Sequence, residues 1–103
     1  MPQPKITFPQ EKIEAFCRKW KIKELALFGS VLREDFRPDS DIDVLVSFEP
    51  GGGIDFDNRV EMQDELEGIF GRGVDLVEKE AVRNPFRRHN ILTTREVVYA
   101  LDL

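Results

Sequence analysis

Three aspartates stand among apolar neighbours where a core residue is expected: Asp41 and Asp43 in "DSDIDVLV" and Asp75 in "GVDLV". Asp disfavours strands and is costly to bury unless it is paired or bound to a metal. In an extended chain residues i and i+2 share a face, so Asp41 and Asp43 project together while Ile42 and Val44 turn towards the core. Carboxylates this close repel one another, and a shared proton or a bound cation relieves the conflict. An all-oxygen set favours Mg²⁺ over a soft metal. With one His and one Cys in the chain, zinc is a poor fit. If the strands carrying Asp43 and Asp75 are neighbours, the three acids can hold two metal ions about 4 Å apart, one orienting nucleotide phosphates and one lowering the pKa of an attacking hydroxyl. Asp75, on the attack side, is then the general base or its metal support.

Upstream, "ELALFGS" predicts a short strand ending at Gly29-Ser30, and "SVLREDF" has a helical look, with Ser30 placed to cap it. Where a strand runs into a helix, exposed backbone N–H groups and the helix dipole favour an anion, and Gly29 lets a phosphate approach without a Cβ in the way. A Gly-Ser turn can equally be a plain helix cap. The acids also have a bland reading, with Asp39, Ser40 and Asp41 forming an Asx-turn and Asp43 exposed on an edge strand. That accounts for one acid and leaves Asp43 within "IDVLV" and Asp75 within "VDLV" unexplained.

The elements that must position these residues follow from periodicity. Residues 9–20 carry Ile13, Phe16, Cys17 and Trp20 at the spacing of an amphipathic helix, which makes Cys17 and Trp20 core residues. "DIDVLVSFE" predicts a second strand, broken by "PGGG" at residues 50–53. Val60, Met62, Leu66, Ile69 and Phe70 suit a helix between Ile54 and Phe70, ended by Gly71 at C′. "VDLVEK" is a third strand. Asn84 and Pro85 open a further helix as cap and first residue, and "REVVYAL" supplies a last strand. Arg83, Arg87, Arg88 and His89 could contact a phosphate or a partner's acidic patch, but the segment reads first as a solvated helix face, His89 as a surface residue, and none is assigned to the site.

With 103 residues, 41% of them hydrophobic, the chain is expected to form one globular domain over residues 1–103. The net charge of −5 makes direct nucleic-acid binding a poor expectation. A lone cysteine excludes an internal disulfide, and no leader or long apolar span points to a membrane, so a cytoplasmic setting is expected.

Gly29-Ser30, then ten residues, then Asp41-Ile42-Asp43, then Asp75 on a later strand resembles the minimal nucleotidyltransferase family of the DNA polymerase β superfamily. The likeness extends through "FGSVLRED", "RPDSDIDVLV", "ELEGIFGRGVDLV" and "NPFRR". The resemblance implies an α+β nucleotidyltransferase fold, a mixed β-sheet flanked by helices, with Mg²⁺ and ATP as ligands and transfer of a nucleoside monophosphate with release of pyrophosphate. By position it assigns Gly29 and Ser30 to the phosphates, Asp41 and Asp43 to the metals, Asp75 as the third carboxylate, and Arg33 to the vicinity of the phosphates. Small members of this family resemble antitoxins that work with a HEPN-fold RNase toxin, some adding AMP to a tyrosine of that toxin. A hetero-oligomer with such a toxin is therefore expected. A contrasting expectation is a binding module that neutralises its partner by occlusion without catalysis.

Overall fold

A computed structural model of the chain describes residues 8–32 and 40–101, with Ser30 and Val31 as backbone only. Helix α1, Gln10–Lys19, buries Ile13, Phe16 and Cys17, the stripe predicted from their spacing. Lys21, with φ +58°, turns the chain into strand β1, Ile22–Phe28, which ends in a short 3-10 turn, Gly29–Leu32. Strand β2, Ile42–Phe48, is followed by helix α2, Asn58–Phe70, and strand β3, Val74–Glu78. A 3-10 turn at Lys79–Ala81 leads to helix α3, Pro85–Thr94, and strand β4, Glu96–Ala100.

The four strands form one mixed sheet in the order β3-β2-β1-β4. β1 runs antiparallel to both β2 and β4, whereas β2 and β3 are parallel. Parallel neighbours need a crossover, and α2 supplies it. The fold is thus α+β with a mixed sheet flanked by helices, as expected.

Both faces of the sheet are covered at its centre. On one face Leu25, Leu27, Ile42, Val44, Val46, Val74 and Leu76 pack with the buried residues of α1 and α2. On the other, Ala26, Phe28 and Leu45 meet Val82, which follows the 3-10 turn, and Ile91 of α3. Every residue of β2 except Asp43 is buried, because a central strand covered on both sides needs apolar residues at nearly every position. The ion pair between Lys19 and Glu65 joins α1 to α2 at 2.6 Å; the Glu65 hydrogen bond holds the lysine pKa above its ordinary value. Lys19 is exposed and Glu65 partly so, and solvent screening keeps the contribution of the pair to stability small.

The helix expected from Ile54 begins instead at Asn58. Asp55 and Asn58 exchange hydrogen bonds, each side-chain oxygen accepting from the other's backbone N–H at 2.7–2.8 Å, and Asn58 Nδ2 donates to the Gly53 carbonyl. These bonds fix a turn where the helix would otherwise extend. Val60, placed on the core stripe by spacing, is 66% exposed, whereas Met62, Leu66 and Phe70 are buried and Ile69 packs partly buried against the core. Gly71 ends it in the left-handed conformation at φ +74°, as predicted.

Candidate active site

The register of the sheet assembles the site. Phe28 on β1 is paired with Asp43 on β2, and Asp43 with Asp75 on β3, so the three stand in one row across three strands. Ile42 and Val44 are fully buried beneath α1 and α2. Strand alternation therefore sends Asp43 and Asp75 to the opposite face, the one that carries α3. On that side Asp75 is exposed and Asp43 partly so.

Asp41 lies just before β2 and is exposed. Its neighbour Ile42 donates to the Gly73 carbonyl at 2.9 Å, and a Cβ at Gly73 would meet the Asp41 Oδ1 oxygen. Gly73 thus makes room for this acid. Arg72 Nη1 lies 3.5 Å from the Ser40 carbonyl, bringing a guanidinium to the same end of β2.

Gly29 has φ +76°, and a Cβ on it would run into the Asp43 carboxylate. The sequence suggested that Gly29 was needed for close approach of a phosphate. The geometry adds a nearer reason: the space above it belongs to Asp43, in a backbone conformation that L-residues resist. Ser30 belongs to the 3-10 turn that follows, and Arg33 lies outside the described residues.

Two clefts flank the row of acids. One, of about 410 Å³, is lined by Phe28, Gly29, Leu32, Asn90, Ile91 and Arg87 among others. The second, of about 420 Å³, is bordered by Asp75, Glu78, Ile54, Arg59, Val82 and again Arg87. Asp41 and Asp43 line neither. By register, Asp43 lies between Phe28 in the wall of the first and Asp75 in the wall of the second. A smaller apolar groove between α1 and α2, of about 310 Å³ and lined by Lys12, Phe16 and Ile69, is remote from these acids and on the other face.

Among the described residues no three His, Cys, Asp or Glu side chains stand close enough to form a ready-made cation site. The donor chemistry nonetheless fits Mg²⁺, which is commonly bound through one or two carboxylates, with water and substrate phosphates completing its oxygen shell. Asp43 and Asp75, side by side in a parallel ladder, supply such a pair. Asp41, just before β2, stands beside Gly73.

Of the basic residues on α3, Arg88 is structural: its Nη1 donates to the carbonyls of Lys79 and Val82 at 2.6 and 3.3 Å. Arg87 borders both clefts, a placement that sequence reasoning missed. The available signal was Asn84-Pro85, a strong helix start that fixes where the residues two and three positions later must lie. Which face of the helix meets the sheet was not readable from one turn of charged residues.

The model of the nucleotidyltransferase domain matches residues 10–98. The protein adenylyltransferase MntA of Thermococcus cleftensis is 33% identical over 81 residues, covering 79% of this chain and 77% of its own. A toxin–antitoxin crystal structure with AMP-PNP superposes with a TM-score of 0.71 at 23% identity, covering 90% of this chain and 74% of that one. The MNT antitoxin bound to a tri-AMPylated HEPN toxin of Shewanella oneidensis gives a TM-score of 0.62 at 22% identity, covering 88% and 69%. At these identities the two structural matches establish likeness of fold.

Proposed function

The chain belongs to the nucleotidyltransferase family, and from that premise we propose that it transfers AMP from ATP to a hydroxyl, a tyrosine hydroxyl in our reading, of a HEPN-type toxin in the cytoplasm, acting as the antitoxin of the pair. The observation that carries this reading is the in-register pairing of Asp43 with Asp75 beside Gly29. A pair of like charges on adjacent strands destabilises a sheet and is retained where a ligand needs both. The kinship with the Thermococcus protein adenylyltransferase supports the substrate, and the likeness of fold to toxin–antitoxin complexes supports the partner.

Asp41, Asp43 and Asp75 are the residues that would hold Mg²⁺, two ions in our reading, whose chemistry is to neutralise the phosphates and favour an ionised acceptor oxygen. The turn at Gly29-Ser30, with Arg33 after it, receives the phosphates. In this reading Asp75, which lines the open cleft, takes the proton of the incoming hydroxyl. The acceptor oxygen bonds to the α-phosphorus, the bond to the bridging oxygen breaks, and pyrophosphate leaves with its electron pair. Asn at any of the three positions keeps the shape and removes the charge.

The acceptor comes from another molecule. Phe56 and Phe86 are 95% and 85% exposed, in the segments that also bring Ile54 and Arg87 to the rim of the Asp75 cleft. Large apolar side chains held out in this way suit a protein surface. Positioning supplies much of phosphoryl-transfer catalysis, with effective molarities of ~10⁵ M or more at stake, so transfer should be slow until the partner is present.

The test is transfer of label from α-³²P-ATP, with and without the candidate toxin, read together with the toxin's intact mass. Mass gains of one or more AMP units, lost in the Asp41→Asn, Asp43→Asn and Asp75→Asn variants, support the reading. Full inhibition of the toxin by the triple variant, with no label on the toxin, would replace it with occlusion.

A further inference from the structure

Four arginines whose side chains surround the sheet differ in how they are held. Arg59 donates to the Leu76 carbonyl at 2.6 Å, and Arg88 to the carbonyls of Lys79 and Val82. Arg95 Nε donates to Glu24 at 2.8 Å and its Nη1 to the Leu92 carbonyl. The fourth, Arg87, makes no side-chain hydrogen bond or ion pair among the described residues, although it shares a cleft wall with Asp75 and Glu78. Neither carboxylate of that cleft engages it among the described residues, so its five donors are uncommitted there.

Its backbone is well fixed. The Asn84 side chain accepts from the Arg87 N–H at 3.1 Å and from the Phe86 N–H at 3.0 Å, and Pro85 presets the first helical residue. The Arg88 bonds to the preceding turn and the burial of Ile91 pin the same helix to the sheet. Arg87 lines the cleft that contains Gly29 and also the cleft that contains Asp75, while the sheet register puts Asp43 between them. Arg87 is thus the residue of α3 that borders the clefts on both sides of Asp43.

From this placement we infer that Arg87 contacts the α-phosphate of the bound nucleotide, the group passed from the Gly29 side of the site to the acceptor on the Asp75 side. The inference rests on the nucleotidyltransferase reading above and names a further phosphate contact within it. A guanidinium is suited to the task, since its planar fork can donate two parallel hydrogen bonds to one phosphate without changing protonation. Placed opposite the carboxylates and any cations they hold, it bears on the transferring group from the α3 side, where charge redistributes as the bond to pyrophosphate breaks.

The test measures binding of ATP, AMP and inorganic pyrophosphate, with Mg²⁺, to the wild-type chain and to Arg87→Ala, Arg87→Lys and Arg83→Ala, alongside AMP transfer to the partner toxin. Arg87→Ala is expected to weaken ATP and AMP roughly tenfold or more, the loss of a charge-assisted hydrogen bond, and to leave pyrophosphate unchanged. Arg87→Lys should recover part of the affinity, and Arg83→Ala should match wild type. Transfer by Arg87→Ala should fall further than its ATP affinity does. Unchanged AMP binding in Arg87→Ala would overturn the inference, as would a loss confined to pyrophosphate. Failure of the wild type to label the partner is a separate result, which counts against the nucleotidyl-transfer reading itself.

Discussion

Asp43 of β2 and Asp75 of β3 are direct partners in a parallel ladder, two carboxylates on one face of adjacent strands. Like charges placed this way cost about 0.2–1 kcal/mol of sheet stability relative to neutral residues. Asp75→Asn should therefore raise the stability of the metal-free protein by about that amount, while AMP transfer is lost. Adding Mg²⁺ and ATP should raise the melting temperature of the wild type more than that of the variant, because ligand binding adds stability only where the site can hold it. Thermal unfolding in EDTA and in Mg²⁺ reads both effects. A variant less stable than wild type in EDTA would show that the two carboxylates are not in net repulsion.

Gly29 and Gly71 form a natural control pair. Both are left-handed, at φ +76° and +74°, yet a Cβ on Gly29 meets the Asp43 carboxylate whereas a Cβ on Gly71 meets nothing within 4 Å. Gly71→Ala should cost about 1–3 kcal/mol from backbone strain alone and leave transfer near normal. Gly29→Ala carries the same strain and in addition displaces Asp43, so transfer should be abolished. Equal activity in the two variants would remove Gly29 from the site.

The order and type of the elements were legible because local signals agreed: the α1 stripe, Gly71 after α2 and the Asn84-Pro85 start of α3 each recur in the structure. The acids were legible for the opposite reason, since Asp43 and Asp75 break apolar runs that the sheet otherwise buries on both faces. Val60 was misread because an apolar residue near the start of a helix looks the same whether or not the sheet lies beneath it. The Phe28–Asp43–Asp75 row was beyond sequence reasoning, because register depends on how α2 carries the chain across from β2 to β3. Arg87 was lost for a related reason: its neighbours in the site come from β1 and β3, far away in sequence.

Cys17 is fully buried, and its thiol pKa is pushed from the ordinary 9.0 up to about 12, chiefly by burial, with Arg18 opposing and Glu14 adding to the rise. Below pH 9 the folded and unfolded chains both hold the proton, and Cys17 lends no pH dependence to stability. Between pH 9 and 12 the unfolded chain ionises while the folded chain does not, so stability should fall as pH rises, by at most about 1.4 kcal/mol per pH unit. Urea unfolding at pH 8, 9 and 10 should show this fall, and it should shrink in Cys17→Ala. Thiol labelling of the native protein at pH 8 should proceed only as fast as the chain opens. Rapid labelling under native conditions would place the thiol outside the core.

The Asn84 cap links stability to nucleotide binding. Its side chain accepts from the N–H groups of Phe86 and Arg87, the second of which belongs to the residue bordering both clefts. Asn84→Ala should cost about 1 kcal/mol, the usual worth of such a cap, and Asn84→Ser should restore most of it. Fraying of the first turn also frees the Arg87 backbone, so ATP affinity should drop in Asn84→Ala, though less than in Arg87→Ala, because the guanidinium is still present and only its placement is loosened. Calorimetric titration with ATP and Mg²⁺ on the three variants, paired with their melting temperatures, separates the two roles. If Asn84→Ala loses stability but binds ATP as wild type does, the cap supports the fold and the position of Arg87 is set by the contacts of Arg88 and Ile91 alone.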